Sequence, residues 1–432
     1  MGKICIVHYH LNPGGVTRII ESQIRCLKGD DLSAGITVLT GHCHDPAVIE
    51  SLGVKLVIDD CLNYLPEDLE NYDQTLEDTK NFLSGQINRD DIIHFHNMNL
   101  GKNPLLTLAV SEMAKQGYHV LNHAHDFAED RPANMSFLKK VIEGGLGMDL
   151  RAVTYPEIPN VLYATLNSAD RKRLIGYRVD ESRVFWLPNP VDFALSGMTG
   201  ERSEAKPSIC RQLDLDERNL LVTYPVRVIR RKNIGEYILL SVLFSEKANW
   251  VVTQPPKNPV EIKPYRVWKK FCREKNIDLV FEAGLKVGFG ELIRASDWCF
   301  TTSIREGFGM VYMEPWLIGT PVGGRNIDYI TSDLKASGMQ FPLLYDKILI
   351  DTGGRRTDFA ALDMDEQMNF ISELLTKKEI LEITLQDNPL LKSIFEPVEE
   401  SIITNNQSII NHEYSLHQYA KRLKAIYQRF TL

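Results

Sequence analysis

Two carboxylates separated by seven residues, Glu306 and Glu314, bracket the sharpest chemical signal in the chain, Arg305-Glu-Gly-Phe-Gly-Met-Val-Tyr-Met-Glu-Pro315. Between them a Gly-Phe-Gly loop reads as leading into a helix over 311–318. The backbone N–H groups of Gly309, Met310 and Val311 have no partner inside the first turn of such a helix, and its dipole favours an anion, so together they suit a phosphate. Glu314, about one turn inside the helix, can accept from two hydroxyls of a ribose, and Glu306, before the turn, lies near a sugar. Upstream, Arg227-Val-Ile-Arg-Arg-Lys232 sets four cations within six residues beside a strand end. That cluster suits a diphosphate, although a solvated basic run has the same composition.

Histidines supply the second signal. Four His-x-His pairs occur, His8/His10, His42/His44, His94/His96 and His123/His125. Alternate strand residues share a face, so each pair can point one way. Imidazole is a common metal ligand, but histidines at strand ends more often line a polar cleft as hydrogen-bonding groups, and that reading is adopted. The pairs are expected to converge on the mouth of one sheet. Asn12-Pro-Gly-Gly-Val-Thr-Arg18 follows the first strand and opens the first helix. Gly14 and Gly15 let the backbone approach a ligand, although the run is not the G-x-G-x-x-G of dinucleotide sites. Asp214-Leu-Asp216 and Asp363-Met-Asp365 read as surface acids rather than metal ligands, and Trp298 and Trp316 as core rather than sugar platforms.

These groups need a scaffold, and the pattern supplies one. Short apolar runs over 4–8, 35–40, 54–58, 91–96 and 119–123 alternate with helical stretches, the first over 16–27. A further strand over 183–187 ends in Leu187-Pro-Asn-Pro-Val-Asp192, whose prolines suit a hinge. A polar stretch over 197–207 reads as a loop. A second series follows, with strands over 220–225, 250–253, 278–282 and 298–301 and helices over 234–244, 264–275 and 289–295. Pro225 is awkward in a strand and suggests an edge or a bulge. The tail over 412–430 is helical, with an apolar stripe of Tyr414, Leu416, Tyr419, Leu423 and Ile426. Alternating strand and helix means parallel sheets with right-handed crossovers, which bind ligands at the carboxyl ends of their strands. The predicted architecture is α/β: two Rossmann-like, doubly wound domains facing a cleft, over 1–190 and 191–410, with a final helix in 411–432.

Composition sets the outer bounds. The chain has 432 residues, 44% hydrophobic and 25% charged, which is ordinary globular composition and excludes disorder or coiled coil as the main state. A formal charge of −8 argues against a nucleic-acid binder held by counterion release. Seven cysteines without a C-x-x-C pair read as reduced thiols with no zinc knuckle, consistent with a cytoplasmic protein. No apolar run approaches a membrane span, and no signal peptide is expected.

The order and spacing of these motifs resemble GT-B-fold retaining glycosyltransferases, specifically glycosyltransferase family 4 (group 1), over most of the chain. Gly14-Gly15 is similar to the family's glycine loop, His125-Asp126 to its strand-end histidine, Leu187–Asp192 to its interdomain segment with Pro190 in place of glycine, Arg227 and Lys232 to its Arg-x4-Lys pair, and Glu306–Glu314 to its Glu-x7-Glu motif. The family's Gly-Arg-Leu before the lysine is Tyr224-Pro-Val-Arg227 here. The resemblance implies catalytic roles for His125, Arg227, Lys232 and Glu306, and donor contacts for Gly14, Gly15, Gly309, Met310, Val311 and Glu314. Arg227 and Lys232 would neutralise a leaving diphosphate, Glu314 would hold the ribose, and Glu306 and His125 would hold the donor sugar. It implies retention of anomeric configuration, no metal and no cofactor beyond a nucleotide-sugar co-substrate of the UDP-glucose or GDP-mannose type. It also implies a C-terminal helix crossing back to the first domain. Few basic residues mark the first domain as a membrane face, so a small or soluble glycan acceptor is expected, without nucleic acid or membrane as partner; a homodimer is compatible. Two other readings share the scaffold: a glycoside phosphorylase, with inorganic phosphate in place of the nucleotide, and a non-catalytic sugar-nucleotide binding protein. A dehydrogenase lacks its glycine fingerprint.

Overall fold

Contacts divide the chain into two compact units, Met1–Pro190 with Tyr414–Leu432, and Val191–Glu413. The computed structural model describes residues 2–29, 35–191 and 202–430. The second boundary thus falls at 413/414, three residues beyond the one expected from sequence.

The first unit is built on seven parallel strands: β1 (Ile4–Leu11), β2 (Ile36–Cys43), β3 (Lys55–Ile58), β4 (Ile92–His96), β5 (His119–Ala124), β6 (Val161–Thr165) and β7 (Val184–Trp186), in the order β3-β2-β1-β4-β5-β6-β7. Central β1, Ile-Cys-Ile-Val-His-Tyr, is buried on both faces, as a strand covered by helices on either side must be. The last helix, Leu416–Gln428, belongs to this unit. Its Tyr419, Leu423, Ile426 and Tyr427 join Ile20, Ile24 and Leu27 of the helix Gly15–Gly29 in one core. The tail expected as a single helix is broken at Tyr414 and Ser415, and Ser415 caps the second piece through the Gln418 N–H.

The second unit repeats the plan with six parallel strands: β8 (Leu220–Arg227), β9 (Ala248–Gln254), β10 (Leu279–Val280), β11 (Trp298–Thr301), β12 (Val322–Arg325) and β13 (Leu344–Tyr345), in the order β10-β9-β8-β11-β12-β13. An antiparallel hairpin, β14 (Leu349–Asp351) and β15 (Arg356–Asp358), follows. Pro225 sits in central β8, not on an edge, and the register with β9 slips between Tyr224 and Arg227. The bulge accommodates the missing N–H and re-aims the strand end that carries Arg227. Of the polar stretch expected as a loop over 197–207, residues 197–201 lie outside the described residues, as does Asp192, and 202–207 are helical within Arg202–Leu213. The helix expected over 264–275 begins earlier, at Pro259, and carries Pro264 inside it.

Both sheets reverse strand order at one place, between β1 and β4 in the first unit and between β8 and β11 in the second. At such a switch point the two crossovers leave in opposite directions and open a crevice at the carboxyl ends of the strands. Among the described residues no helix is long and apolar enough to cross a membrane.

Candidate active site

In the second unit the switch point collects the charged motifs. β8 ends at Arg227, and a tight turn, Arg230–Lys232, follows, closed by Asn233 in the left-handed region at φ 47°. β11 ends at Thr301 and leads through Thr302 and Ser303 to Glu306. Lys232 Nζ donates to one oxygen of Glu306, and Arg231 Nη1 donates to the other at 2.7 Å. Ser303 Oγ adds a bond of 2.6 Å. Burial is the largest influence on Glu306 and pushes its pKa up, but Lys232, Arg231 and Ser303 outweigh it and hold the group below the usual carboxylate range. Glu306 is therefore an ionised carboxylate with a cation on each oxygen and acceptor capacity to spare.

The four cations of the basic run do not act as one cluster. Arg230 turns outward to Glu261 at 3.3 Å, Arg231 and Lys232 turn to Glu306, and Arg227 reaches the amide oxygen of Gln254 at 3.3 Å. Among the described residues no carboxylate pairs with Arg227, and its Nε is buried without a partner. Among the described residues its positive charge is the one in the run without a carboxylate beside it.

Gly309 needs its identity. Its φ is +81°, and a Cβ would meet Ile330 Cγ2 at 2.7 Å. The segment expected as a continuous helix is split into a tight turn, Met310–Tyr312, and a short helix, Glu314–Leu317, so Glu314 opens that helix rather than lying a turn inside it. The first bond of the turn runs from the Tyr312 N–H to Gly309 C=O at 2.9 Å, which leaves the N–H groups of Gly309, Met310 and Val311 at its open end. Trp298 and Trp316 are buried core side chains. Asp216 is bonded to Arg218, and Asp363 caps the helix Met364–Thr376.

In the first unit the helix Gly15–Gly29 starts beside the end of β1. A Cβ at Gly15 would meet nothing within 4 Å, and one at Gly14 only Asn12 O at 3.7 Å. The fold itself does not require glycine at either position. The histidine pairs divide. His42 and His44 are exposed, and His10 turns to Tyr64. His94, His96, His123 and His125 meet across β4 and β5, with His8 beside them on β1. They do not line an open cleft: His94, His96 and His123 are fully buried, His94 is bonded to His123 and His96 to His125, and only His125 and His8 keep a trace of exposure. Burial drives His8 down to about 4 and His94 and His125 down to about 3, so the cluster is neutral. Ring nitrogens of His94, His96 and His123 lie within 4.8 Å of one another. Nitrogens sharing a tetrahedral ion would stand about 3.4 Å apart, given Zn–N bonds of ~2.1 Å, and here His94 is bonded to His123, and His96 to Gln23 and His125, instead.

No family model matches the sequence. Over 419 residues the chain is 29% identical to the mannosylglucosyl-3-phosphoglycerate synthase of Petrotoga mobilis, covering 92% of this chain and 80% of that protein. It is 24% identical over 336 residues to the mannosylglucosylglycerate synthase of Thermotoga maritima, covering 72% and 74%. The crystal structure of Anabaena HepE in complex with UDP-glucose matches at a TM-score of 0.61 over 99% of both chains, at 15% identity. The fold is GT-B. The resemblance to group 1 glycosyltransferases drawn from the motifs agrees with these relatives.

The GT-B frame also holds residues that the motifs did not announce. Tyr224 OH meets Lys232 O at 2.9 Å and Ser303 Oγ at 2.7 Å, so it ties the two switch-point loops together. Thr302 Oγ1 donates to the carbonyls of Lys232 and Asn233. The Glu306 N–H donates to Tyr329 OH at 2.9 Å, and that hydroxyl donates to Glu306 C=O at 2.6 Å. Ser303, three residues before Glu306, had a local signal; Tyr224 and Tyr329 had none, because a lone tyrosine in a mixed segment reads as core.

Proposed function

We propose that this GT-B protein is a retaining, metal-independent glycosyltransferase that moves a hexosyl group from a nucleotide diphosphate sugar to a small soluble acceptor. The observation that carries the reading is the second unit's switch point, where an arginine without a carboxylate partner among the described residues ends β8 and a cation-bound glutamate follows β11. Arg227 and Lys232 take the diphosphate. The bond from the anomeric carbon to the diphosphate oxygen breaks, the acceptor oxygen bonds the same face of that carbon, and the departing oxygen takes the acceptor proton. Cations placed beforehand stabilise the negative charge that grows on the leaving group, most effectively where water is excluded. The N–H groups at Gly309, Met310 and Val311 receive a phosphate, Glu314 the ribose, Glu306 a sugar hydroxyl, and His125 a second one. Gly14 and Gly15, which the fold does not require to be glycine, admit the ligand close to the backbone. The names of the Petrotoga and Thermotoga relatives favour a mannosyl donor of the GDP-mannose type and an anionic glucosylglycerate or glucosyl-phosphoglycerate acceptor.

The test is nucleotide release from GDP-mannose and from UDP-glucose in EDTA, with and without glucosyl-3-phosphoglycerate, for the wild type and Lys232→Ala. Release from GDP-mannose, stimulated by the acceptor and reduced by about 10²- to 10³-fold in the variant, is expected for the loss of one preorganised charge on the leaving group. Near-wild-type release from Lys232→Ala would sink the assignment. Sugar 1-phosphate formed from a glycoside and inorganic phosphate, with no release from either donor, would make the protein a phosphorylase.

A further inference from the structure

One amide side chain lies at the head of two histidine chains in the first unit. Gln23, fully buried on the helix Gly15–Gly29, places Oε1 2.8 Å from His96 Nε2 and Nε2 3.0 Å from His94 Nδ1. Its Nε2 also donates to Tyr427 OH at 3.1 Å, and that hydroxyl lies 2.7 Å from His94 Nδ1. From His96 the chain continues through Nδ1 to His125 Nε2 at 2.9 Å. From His94 it continues through Nε2 to His123 Nδ1 at 3.1 Å.

The two ends of an amide are chemically different, and the difference propagates. The oxygen only accepts, so His96 must carry its proton on Nε2. A neutral imidazole has one N–H, so His96 Nδ1 is a lone pair and accepts from His125 Nε2–H. His125 is then left with an unprotonated Nδ1. On the other side the amide nitrogen only donates, so His94 Nδ1 accepts and His94 Nε2–H donates to His123 Nδ1. That chain stops at His123 Nε2, which is buried with no partner among the described residues. Burial keeps all four rings neutral, so no second proton relaxes the pattern. The His125 main chain is fixed as well, its N–H donating to Asn97 Oδ1 at 2.8 Å.

We propose that Gln23 is a positioning residue that acts through His96 to hold His125 in its Nε2–H form, so that His125 meets its ligand as a hydrogen-bond acceptor for a sugar hydroxyl. The inference rests on the functional reading above for the identity of the ligand, but the proton position is a property of the free protein. The reversed amide, with Nε2 toward His96, would reverse every bond in both chains and make His125 Nδ1 a donor.

The experiment is ¹⁵N NMR of the histidine rings in the full chain, without substrate, for the wild type, His96→Phe and Gln23→Met. The wild type should show His96 and His125 both protonated on Nε2. Protonation of His125 on Nδ1 in the wild type would overturn the proposal. In Gln23→Met, which keeps the bulk and removes both amide ends, His125 should show a mixture of the two forms, with the circular dichroism spectrum of the wild type. An unchanged pure Nε2–H form there would also overturn it. His96→Phe, which removes the link but not Gln23, should give the same mixture. Nucleotide release by Gln23→Met should fall by about 3- to 10-fold in kcat/KM, the size of one neutral hydrogen bond to a hydroxyl. The spectrum decides the proton position with no donor present, whereas release by the wild type decides the activity, so the two readings fail separately.

Discussion

Among single residues, Glu306 stands out as a carboxylate kept ionised where burial opposes it. Two cations and a serine hydroxyl lower its pKa below the ordinary 4.5, against the upward push of desolvation. A carboxylate with a depressed folded pKa contributes stability that is present above its unfolded value and lost as pH falls through the folded one. Glu306→Gln should therefore be less stable than the wild type at pH 6, and the gap should shrink as pH drops below about 4.5. Urea unfolding followed by tryptophan fluorescence is the measurement, since Trp250, Trp268, Trp298 and Trp316 all lie in the second unit. A gap that stays constant with pH would mean that the ionisation of Glu306 is not linked to folding. The same substitution leaves Lys232 and Arg231 without their shared anion, so activity and stability should fall together.

At the level of elements, the second unit's switch point is braced by a buried ion group. Arg325, the last residue of β12, donates to Glu236 at 2.9 and 2.5 Å and to Asp358 at 2.8 and 3.0 Å, and Tyr345 OH adds a bond to Glu236. The Arg325 carbonyl also accepts from Tyr312 OH at 2.7 Å, which ties the brace to the turn after Gly309. Arg325→Met should cost about 3–5 kcal/mol, because Glu236 would be left buried without its partner, and thermal unfolding would read the loss. The paired change Arg325→Met with Glu236→Leu should recover most of it, whereas additive losses would argue against a shared network. None of this was visible in the sequence. β12 reads Val-Gly-Gly-Arg, and glycine depletes strand signal, yet Gly324 is demanded by a φ of 116° and by Thr301 O, which a Cβ would approach at 2.0 Å. The strands with continuous apolar runs, such as β1, β4 and β8, were legible, and Pro225 flagged an irregularity, an edge or a bulge, that is a bulge in a central strand. The alternation rule brought His94/His96 and His123/His125 together correctly but could not tell a buried network from an open cleft. That distinction depends on Gln23 and Tyr427, which lie 404 positions apart.

Over the whole molecule, the histidines are distributed with a strong bias. Of the eleven, only His412 lies in the second unit, and it is exposed; the other ten lie in the first, five of them in its buried cluster. That bias has a thermodynamic consequence. A histidine buried neutral takes up its proton at pH 6.5 when unfolded but only near 3 to 4 when folded, as for His8, His94 and His125. Between those values the unfolded chain binds more protons, so stability rises with pH and is lost as pH falls below about 6.5. Each such histidine contributes about 1.4 kcal/mol per pH unit, so three remove on the order of 8 kcal/mol by pH 4.5, comparable to the whole stability of a domain. The second unit's one histidine, His412, is exposed, so that unit has no buried histidine to lose in this way. Scanning calorimetry at pH 7.5, 5.5 and 4.5 should therefore show the first unit's transition moving steeply to lower temperature while the second unit's moves far less. Tryptophan fluorescence, with four of its five reporters in the second unit, should follow the later transition. Replacing His94 by glutamine, which can keep bonds to Gln23 and His123 but does not titrate, should flatten the first unit's dependence by about one proton. Two transitions that fall in parallel with acid would mean that the histidine cluster is not what sets the acid limit of this chain.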